Sequence, residues 1–426
     1  MFPIGQALFA QQLIRNFSFG KKYAKDDVLI TKPQAFSSSI GYGFEFGTEN
    51  DIRIEKGSKQ ASLASNKPFY FSVNVPEGNY RVTVGYHGDK DTAYHSTIRS
   101  ESRRLHVEDQ IVPAGKKIAT SFIVHIKSPL IHNGESVKLK KPREAAKLDW
   151  DDKLTLEFQR TTRIDYIRIE AVSTITTVFL AGNSTVVNQE DEPWASWGQM
   201  IPRFFDQQVA IANHAESGLA LSSFLSSNRL AKILSVSQPG DYLFIEFGHN
   251  DQKEQGEKAG AFHGYAERLR LFVKEFRKKG GIPVIVTSTA RRAFDADGNL
   301  LYTLGEYPAA ARQVAAELDV PLIDLNRMTR AFYQRLGVEN SKRAFVHYAA
   351  NTFSEQPEPL QDNTHFNTYG AYQIAKMVLQ GIKQDRLDLQ AHIIDFESYD
   401  PSLPDDFTTW HWPPGLKNSR LKPDGN

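Results

Sequence analysis

The sequence predicts two unlike parts: an antiparallel β-sandwich over residues 16–172, then a three-layer α/β/α domain with a parallel sheet over 174–387. Three observations predict this. Apolar residues in the first part recur with a period of two, and no sustained helical period competes. In the second part short apolar runs alternate with amphipathic segments of helical period, the pattern of a parallel sheet covered on both faces. The length of 426 residues also exceeds what one hydrophobic core ordinarily serves.

In the first part Phe69, Phe71, Val73 and Val75 alternate with other residues, and Pro76-Glu77-Gly78-Asn79 supplies a turn. Tyr80, Val82, Val84 and Tyr86 then alternate again, which reads as a hairpin. Leu105 with Val107, Phe122 with Val124 and Ile126, Leu154 with Leu156 and Phe158, and Ile164 with Ile167 and Ile169 extend the pattern. The strand pattern and the stretch Val73 to Val82 make this half similar to the galactose-binding-like jelly rolls attached to carbohydrate-active enzymes. That resemblance implies either a sugar-binding role, with Tyr86 or Tyr94 stacking on rings, or a spacer whose aromatics are simply packed.

In the second part the predicted strands are Thr177–Leu180, Gln208–Ile211, Tyr242–Phe247, Pro283–Thr287 and Pro321–Asp324. The predicted helices are Trp197–Phe205, Leu219–Ser235, Tyr265–Lys279, Tyr307–Glu317 and Tyr369–Leu379. Pro239-Gly240-Asp241 and Gly280-Gly281 punctuate the returns to the sheet. Residues 388–426 form an extension whose Trp410, His411 and Trp412 either pack on the first part or line a sugar site. Residues 1–15, beginning MFPIGQALFAQQ, read either as a signal-peptide remnant with cleavage after Ala10 or as a plain N-terminal extension.

Composition narrows the function. Acids and bases nearly balance at a formal net charge of +1, so there is no electrostatic footprint for nucleic acid. No cysteine is present, which excludes disulfides, thiolate catalysis and cysteine metal sites. No apolar run is long enough to span a bilayer.

Polar residues gather at the ends of successive predicted strands, where open α/β sheets bind ligands. Ser184 follows the Ala181-Gly182-Asn183 turn; alone, such a serine is more often a helix cap than a nucleophile. Gly218 offers a backbone N–H at a helix start, and Asn250, in Gly248-His249-Asn250-Asp251, offers a side-chain amide to an oxyanion. Asp362-Asn-Thr-His365 places an acid where it can orient a histidine base, in a loop entering a helix. Each signal has a bland alternative. Four of them at four matching ends are far less easily accidental.

The set Ser184, Gly218, Asn250 and His365 resembles the SGNH, or GDSL-type, hydrolases. The wording Phe179-Leu-Ala-Gly-Asn-Ser-Thr-Val186, Phe247-Gly-His-Asn-Asp251 and Asp362-Asn-Thr-His-Phe366 is similar to their rhamnogalacturonan acetylesterase branch. The stretches Thr287 to Asp295 and Pro321 to Leu325 add to it. One position departs: the family's first block reads Gly-Asp-Ser, and here Asn183 stands in place of that aspartate. The resemblance implies Ser184 as nucleophile, His365 as base, Asp362 as its partner, and an oxyanion hole from Ser184, Gly218 and Asn250. It implies no metal and no cofactor.

It also implies a secreted or periplasmic carbohydrate esterase that removes O-acetyl groups from pectic polysaccharide through an acyl-enzyme intermediate. The partner is then an acetylated plant cell-wall polysaccharide, with Arg291, Arg292, His347 and His249 as candidate substrate contacts. The alternatives are an acetylesterase acting on xylan, a lipid esterase, or a carbohydrate-binding protein whose catalysis Asn183 has weakened.

Overall fold

A computed structural model describes residues 14–56, 61–159, 162–354, 356–413, 415 and 423–424. Most of the expected signal remnant, residues 1–13, lies outside the described residues. Two sheets make up the first part. One runs in the order Lys117–Ile126, Gly78–His87, Thr162–Val172, Ile14–Phe19, Val28–Ile30, with Ser62–Ser65 and then Ile52–Glu55 attached beside Thr162–Val172. The other runs Tyr42–Glu45, Phe69–Asn74, Lys153–Gln159, Tyr94–Ser100, Arg104–Val112. Neighbours are antiparallel apart from the parallel pair Ile14–Phe19 and Val28–Ile30. Their apolar faces share one core, in which Phe17 of the first sheet meets Phe71 of the second edge to face at 5.2 Å.

The expected hairpin at 69–86 is corrected. Phe69–Asn74 pairs with Tyr42–Glu45 and Lys153–Gln159, while Gly78–His87 pairs with Lys117–Ile126 and Thr162–Val172, so the two strands belong to opposite sheets. Phe69, Phe71 and Val73 face the core from one strand and Tyr80, Val82, Val84 and Tyr86 from the other, and Pro76-Glu77 carries the chain between the sheets, closed by Tyr80 Oη donating to the Pro76 carbonyl at 2.8 Å. Alternation gives the buried face of a strand but not its neighbour.

The parallel sheet of the second part runs Val209–Asn213, Thr176–Gly182, Tyr242–Phe247, Ile282–Thr287, Leu322–Ile323. One core lies on each face: Trp197, Phe332 and the helix Thr368–Gln384 on one side, Phe224, Phe272 and the helix Tyr307–Glu317 on the other. The expected helix 219–235 is two, Leu221–Ser226 and Arg229–Val236, broken at Asn228 in the left-handed region. A further helix, Leu325–Asn340, follows the last strand directly, with Asp324 capping it.

The two parts meet through buried ion pairs. Arg229 donates to Glu144 at 2.6 Å with neither side chain exposed, and Lys147 meets Glu216 at 2.7 Å. The tail packs too: Trp412 lies between the Arg99 guanidinium, 4.4 Å away, and the stacked ring of Trp410. With Trp412 flanked by both, and Trp410 also against Tyr372, these rings are packing residues.

Candidate active site

Ser184 sits just past strand Thr176–Gly182, on a turn the sequence can build in only one way. A Cβ at Gly182 would stand 2.5 Å from Val186 Cγ2, so glycine is required there. The Asn183 carbonyl accepts from Val186 N and Val187 N, and its side-chain Oδ1 accepts from Thr185 N at 3.1 Å. Ser184 is thereby held at the carboxyl end of the sheet, 4% exposed.

The base reaches it from elsewhere in the chain. Asp362 and His365 lie in strand Leu360–Phe366, paired with Phe345–Tyr348, not in a loop as expected. Residues three apart on a flat strand face opposite sides, yet Asp362 Oδ1 accepts from both Thr364 N and His365 N, and this fold in the strand turns the two side chains together. Asp362 Oδ2 then accepts from His365 Nδ1 at 2.7 Å, and His365 Nε2 faces Ser184 Oγ at 2.8 Å. With a carboxylate behind it, the ring carries its proton on Nδ1 and presents a bare lone pair to the serine hydroxyl. Burial alone would raise the Asp362 carboxyl, but the His365 ring and the backbone N–H groups hold it far below the ordinary carboxylate range.

The predicted oxyanion donors are tied to each other. Asn250 Nδ2 donates to the Leu219 carbonyl at 3.0 Å, one residue past Gly218, and that bond uses one of its two amide hydrogens. Gly218 has φ +77°, a conformation that favours glycine, in a loop preceding helix Leu221–Ser226 rather than opening it.

The sequence reading missed Glu246. It is fully buried beneath the nucleophile turn on strand Tyr242–Phe247, where the run Tyr-Leu-Phe-Ile-Glu-Phe is otherwise apolar; an acid in a central strand was the signal. Glu246 Oε2 accepts from Trp197 Nε1 at 2.6 Å, and Oε1 lies 2.9 Å from Thr185 Oγ1. Thr185 Oγ1 is also 3.0 Å from Asn183 Oδ1. One hydroxyl hydrogen cannot serve two acceptors. Both contacts carry a hydrogen when Glu246 is protonated, donates to Thr185, and Thr185 donates to Asn183. Burial drives the same way, pushing the Glu246 carboxyl up to about 7 against the Trp197 and Thr185 bonds. Asn183 Nδ2, by contrast, is buried without a partner.

Of the four predicted substrate contacts, Arg292 and His249 are buried, while Arg291 and His347 stay partly open. Arg292 is buried and donates to Ser341 Oγ, Asn363 Oδ1 and the Val338 carbonyl. Arg291 donates to the carbonyls of His249 and Thr303. Both guanidinium groups brace neighbouring segments of the chain through these bonds. His249 is 2% exposed, and burial together with Arg291 and His365 keeps its imidazole neutral. His347 Nε2 donates to Asn363 Oδ1 at 2.8 Å, beside Asp362, and stays partly open.

The GDSL-like Lipase/Acylhydrolase family matches residues 180–372. Rhamnogalacturonan acetylesterase RhgT of Bacillus subtilis is 44% identical over 222 residues, 52% of this chain and 95% of that protein. The chain belongs to the SGNH, GDSL-type hydrolase family. Within it, the chain falls in the rhamnogalacturonan acetylesterase-like branch, and it is a serine carboxylic-ester hydrolase. The probable rhamnogalacturonan acetylesterase YesY of the same organism is 33% identical over 51% of this chain and 97% of that protein. The crystal structure of YxiM from Bacillus subtilis covers 88% of this chain and 99% of that one, at 21% identity and TM-score 0.47. Among the described residues, no helix is long and apolar enough to cross a membrane.

Proposed function

We propose that the protein is a carbohydrate acetylesterase that deacetylates rhamnogalacturonan, with Ser184 as nucleophile. The observation that carries the reading is the line Asp362–His365–Ser184, at 2.7 and 2.8 Å, in a chain 44% identical to a relative with that named activity. His365 Nε2 takes the Ser184 proton as Oγ attacks the ester carbonyl, and Asp362 stabilises the imidazolium. The oxyanion rests on Ser184 N–H, Gly218 N–H and the Asn250 amide. The acetyl-serine is then hydrolysed by a water that His365 deprotonates. A nucleophile with so little exposed surface favours a small acyl group.

A second feature supports an acidic polymer. Past the end of strand Leu322–Ile323, Arg327, 76% exposed and 4.0 Å from Asp324, shares a cavity with Arg330, which donates to the Leu300 and Leu301 carbonyls and stacks on Tyr302 at 3.6 Å. These line a cavity of about 440 Å³, and Tyr302, 81% exposed, keeps one ring face open to a sugar. Gly182, Glu246, Val286 and Ile323 lie side by side in register. Three strand spacings, about 14 Å, therefore separate the Ser184 end from this cavity. A uronate carboxylate a few sugar units from the acetylated one suits it. The reading includes a secreted or periplasmic location, where such a polymer is met, and a galactose-binding-like sandwich as the first domain, residues 16–172.

Acetate release from acetylated rhamnogalacturonan, set beside acetylated xylan and a small aryl acetate, tests the reading. Release from the first with wild type and none with Ser184→Ala is expected. Equal release by parent and mutant removes the esterase reading, and preference for xylan moves the substrate. A catalytically weakened binder is the second reading, favoured by the unpartnered amide of Asn183. Turnover restored by Asn183→Asp would support it.

A further inference from the structure

The first part of the chain meets the loop that follows the nucleophile chiefly through one turn. Strands Tyr94–Ser100 and Arg104–Val112 are joined by Glu101, Ser102 and Arg103, and this turn lies against residues 188–194, the segment that follows the Ser184 turn. Arg103 is 3% exposed. Its Nη1 donates to the carbonyls of Gln189 at 3.2 Å and Trp194 at 2.9 Å, and its Nη2 to Glu192 Oε1 at 3.2 Å. Ser102 Oγ donates to Glu190, and Asp149, also from the first part, accepts both contacts of Asn188 Nδ2 at 3.1 Å. From there the path to the nucleophile is one bond long. Gln189 Nε2 donates to the Ser184 carbonyl at 2.9 Å, while Gln189 N is fixed by Gln199 Oε1 at 3.0 Å.

Two further features set this turn apart from an ordinary packing contact. Glu101 and Arg103 both hold left-handed backbone, at φ 51° and 63°, which non-glycine residues adopt only where surrounding contacts enforce it. And one planar fork meets three acceptors on three different residues of the loop, a geometry that lysine cannot reproduce. The 44% identical relative is matched over 95% of its length by about half of this chain, so little of it remains to supply a counterpart.

We propose that Arg103 is a positioning residue for Ser184: the antiparallel half acts in catalysis by fixing the loop that orients the nucleophile's backbone. The proposal rests on Ser184 as nucleophile. Displacing a reacting group by about 1 Å can cost on the order of 10²-fold in rate, so Arg103→Ala is expected to lower kcat on a small aryl acetate by up to about that factor. KM should change little, because the aryl acetate itself meets none of these residues. Added guanidinium should restore part of the loss, and Arg103→Lys should recover less than wild type.

Lys232→Met is the control. Lys232 is equally buried at the boundary and donates to Glu77 at 2.7 Å, but it lies on the helix Arg229–Val236, away from the loop. The full chain is used throughout, with kcat taken per folded molecule and thermal stability measured alongside. Overturning results are an unchanged kcat in Arg103→Ala, a loss in KM alone, or a kcat loss in Lys232→Met of the same size. If Arg103→Ala does not fold, Ser102→Ala and Arg103→Lys carry the test. A kcat loss in either, without a matching fall in Tm, supports the proposal, and unchanged kcat in both rejects it. Full turnover by Ser184→Ala would instead sink the nucleophile assignment, a result separate from any of these.

Discussion

Asp362 and Glu246 each lie close to the nucleophile, one through His365 and the other through Thr185, the residue after Ser184. Their surroundings drive them in opposite directions. Asp362 sits on a folded strand whose own N–H groups point at it, and a ring N–H completes the set, so it stays ionised. Glu246 sits in the middle of the parallel sheet, where the side chain meets one indole, one hydroxyl, apolar surface and a single long backbone contact, Thr289 N–H at 3.5 Å. Its carboxyl is pushed up to about 7, so it keeps a proton well above the ordinary carboxylate range. The difference teaches that depth alone does not decide ionisation: both side chains are buried, and the supply of N–H donors separates them.

The comparison can be broken most severely at Asp362. Asp362→Asn leaves the shape but presents an amide to the wrong tautomer, and kcat should fall by about 10⁴-fold. A loss under tenfold would mean that Asp362 does not orient His365. The same variant tests linkage. A carboxyl held low contributes stability that is present above its ordinary value of 3.8 and is lost as pH falls below it. The Tm gap between wild type and Asp362→Asn should therefore narrow on acidification.

Thr185→Val comes next. It removes the hydroxyl between Glu246 and Asn183 without changing shape, and should cost about 1–3 kcal/mol of stability by leaving the acid's proton unaccepted. Urea unfolding measures it, and an unchanged midpoint would dissolve the hydrogen-bond chain.

Glu246→Gln should be milder and depend on pH with a set sign. The amide keeps both bonds, its nitrogen donating to Thr185 and its oxygen accepting from Trp197. Wild type binds a proton here that the unfolded chain has lost between 4.5 and about 7, so its stability falls as pH rises through that window. Asp251, also pushed up to about 7 by burial, is common to both proteins and cancels in the difference. Tm of Glu246→Gln minus Tm of wild type should grow from pH 5 to pH 8, and a flat difference would mean Glu246 is already ionised. Smallest is Asn183→Asp. It places a second acid one hydroxyl from Glu246, and should move the decline on the order of one pH unit upward.

Much of this site was readable in the residues. Ser184, Asp362 and His365 were found because chemistry and position coincide: a serine after a small-residue turn, and an acid three residues from a histidine. The parallel sheet was readable from its alternation of apolar runs and helices. The strand at 360–366 was not, because Gln361-Asp-Asn-Thr364 carries no apolar alternation and its pairing comes from the chain at 345–348. Helix Leu325–Asn340 hid behind the strand it follows without a loop. The crossing at Pro76-Glu77 imitated a hairpin. Arg291 and Arg292 looked free because sequence does not display the carbonyls they serve. Glu246 and Arg103 act only through contacts made across the fold.

The ion pairs between the two halves have a thermodynamic consequence. Arg229 with Glu144 and Lys147 with Glu216 are sealed from water on both sides. Melting either half alone would break both pairs and expose to water the apolar boundary sealed around them, which couples the unfolding of one half to the other. Neither half then has a stable melted neighbour, and heat should unfold the chain in one calorimetric transition whose van't Hoff and calorimetric enthalpies agree.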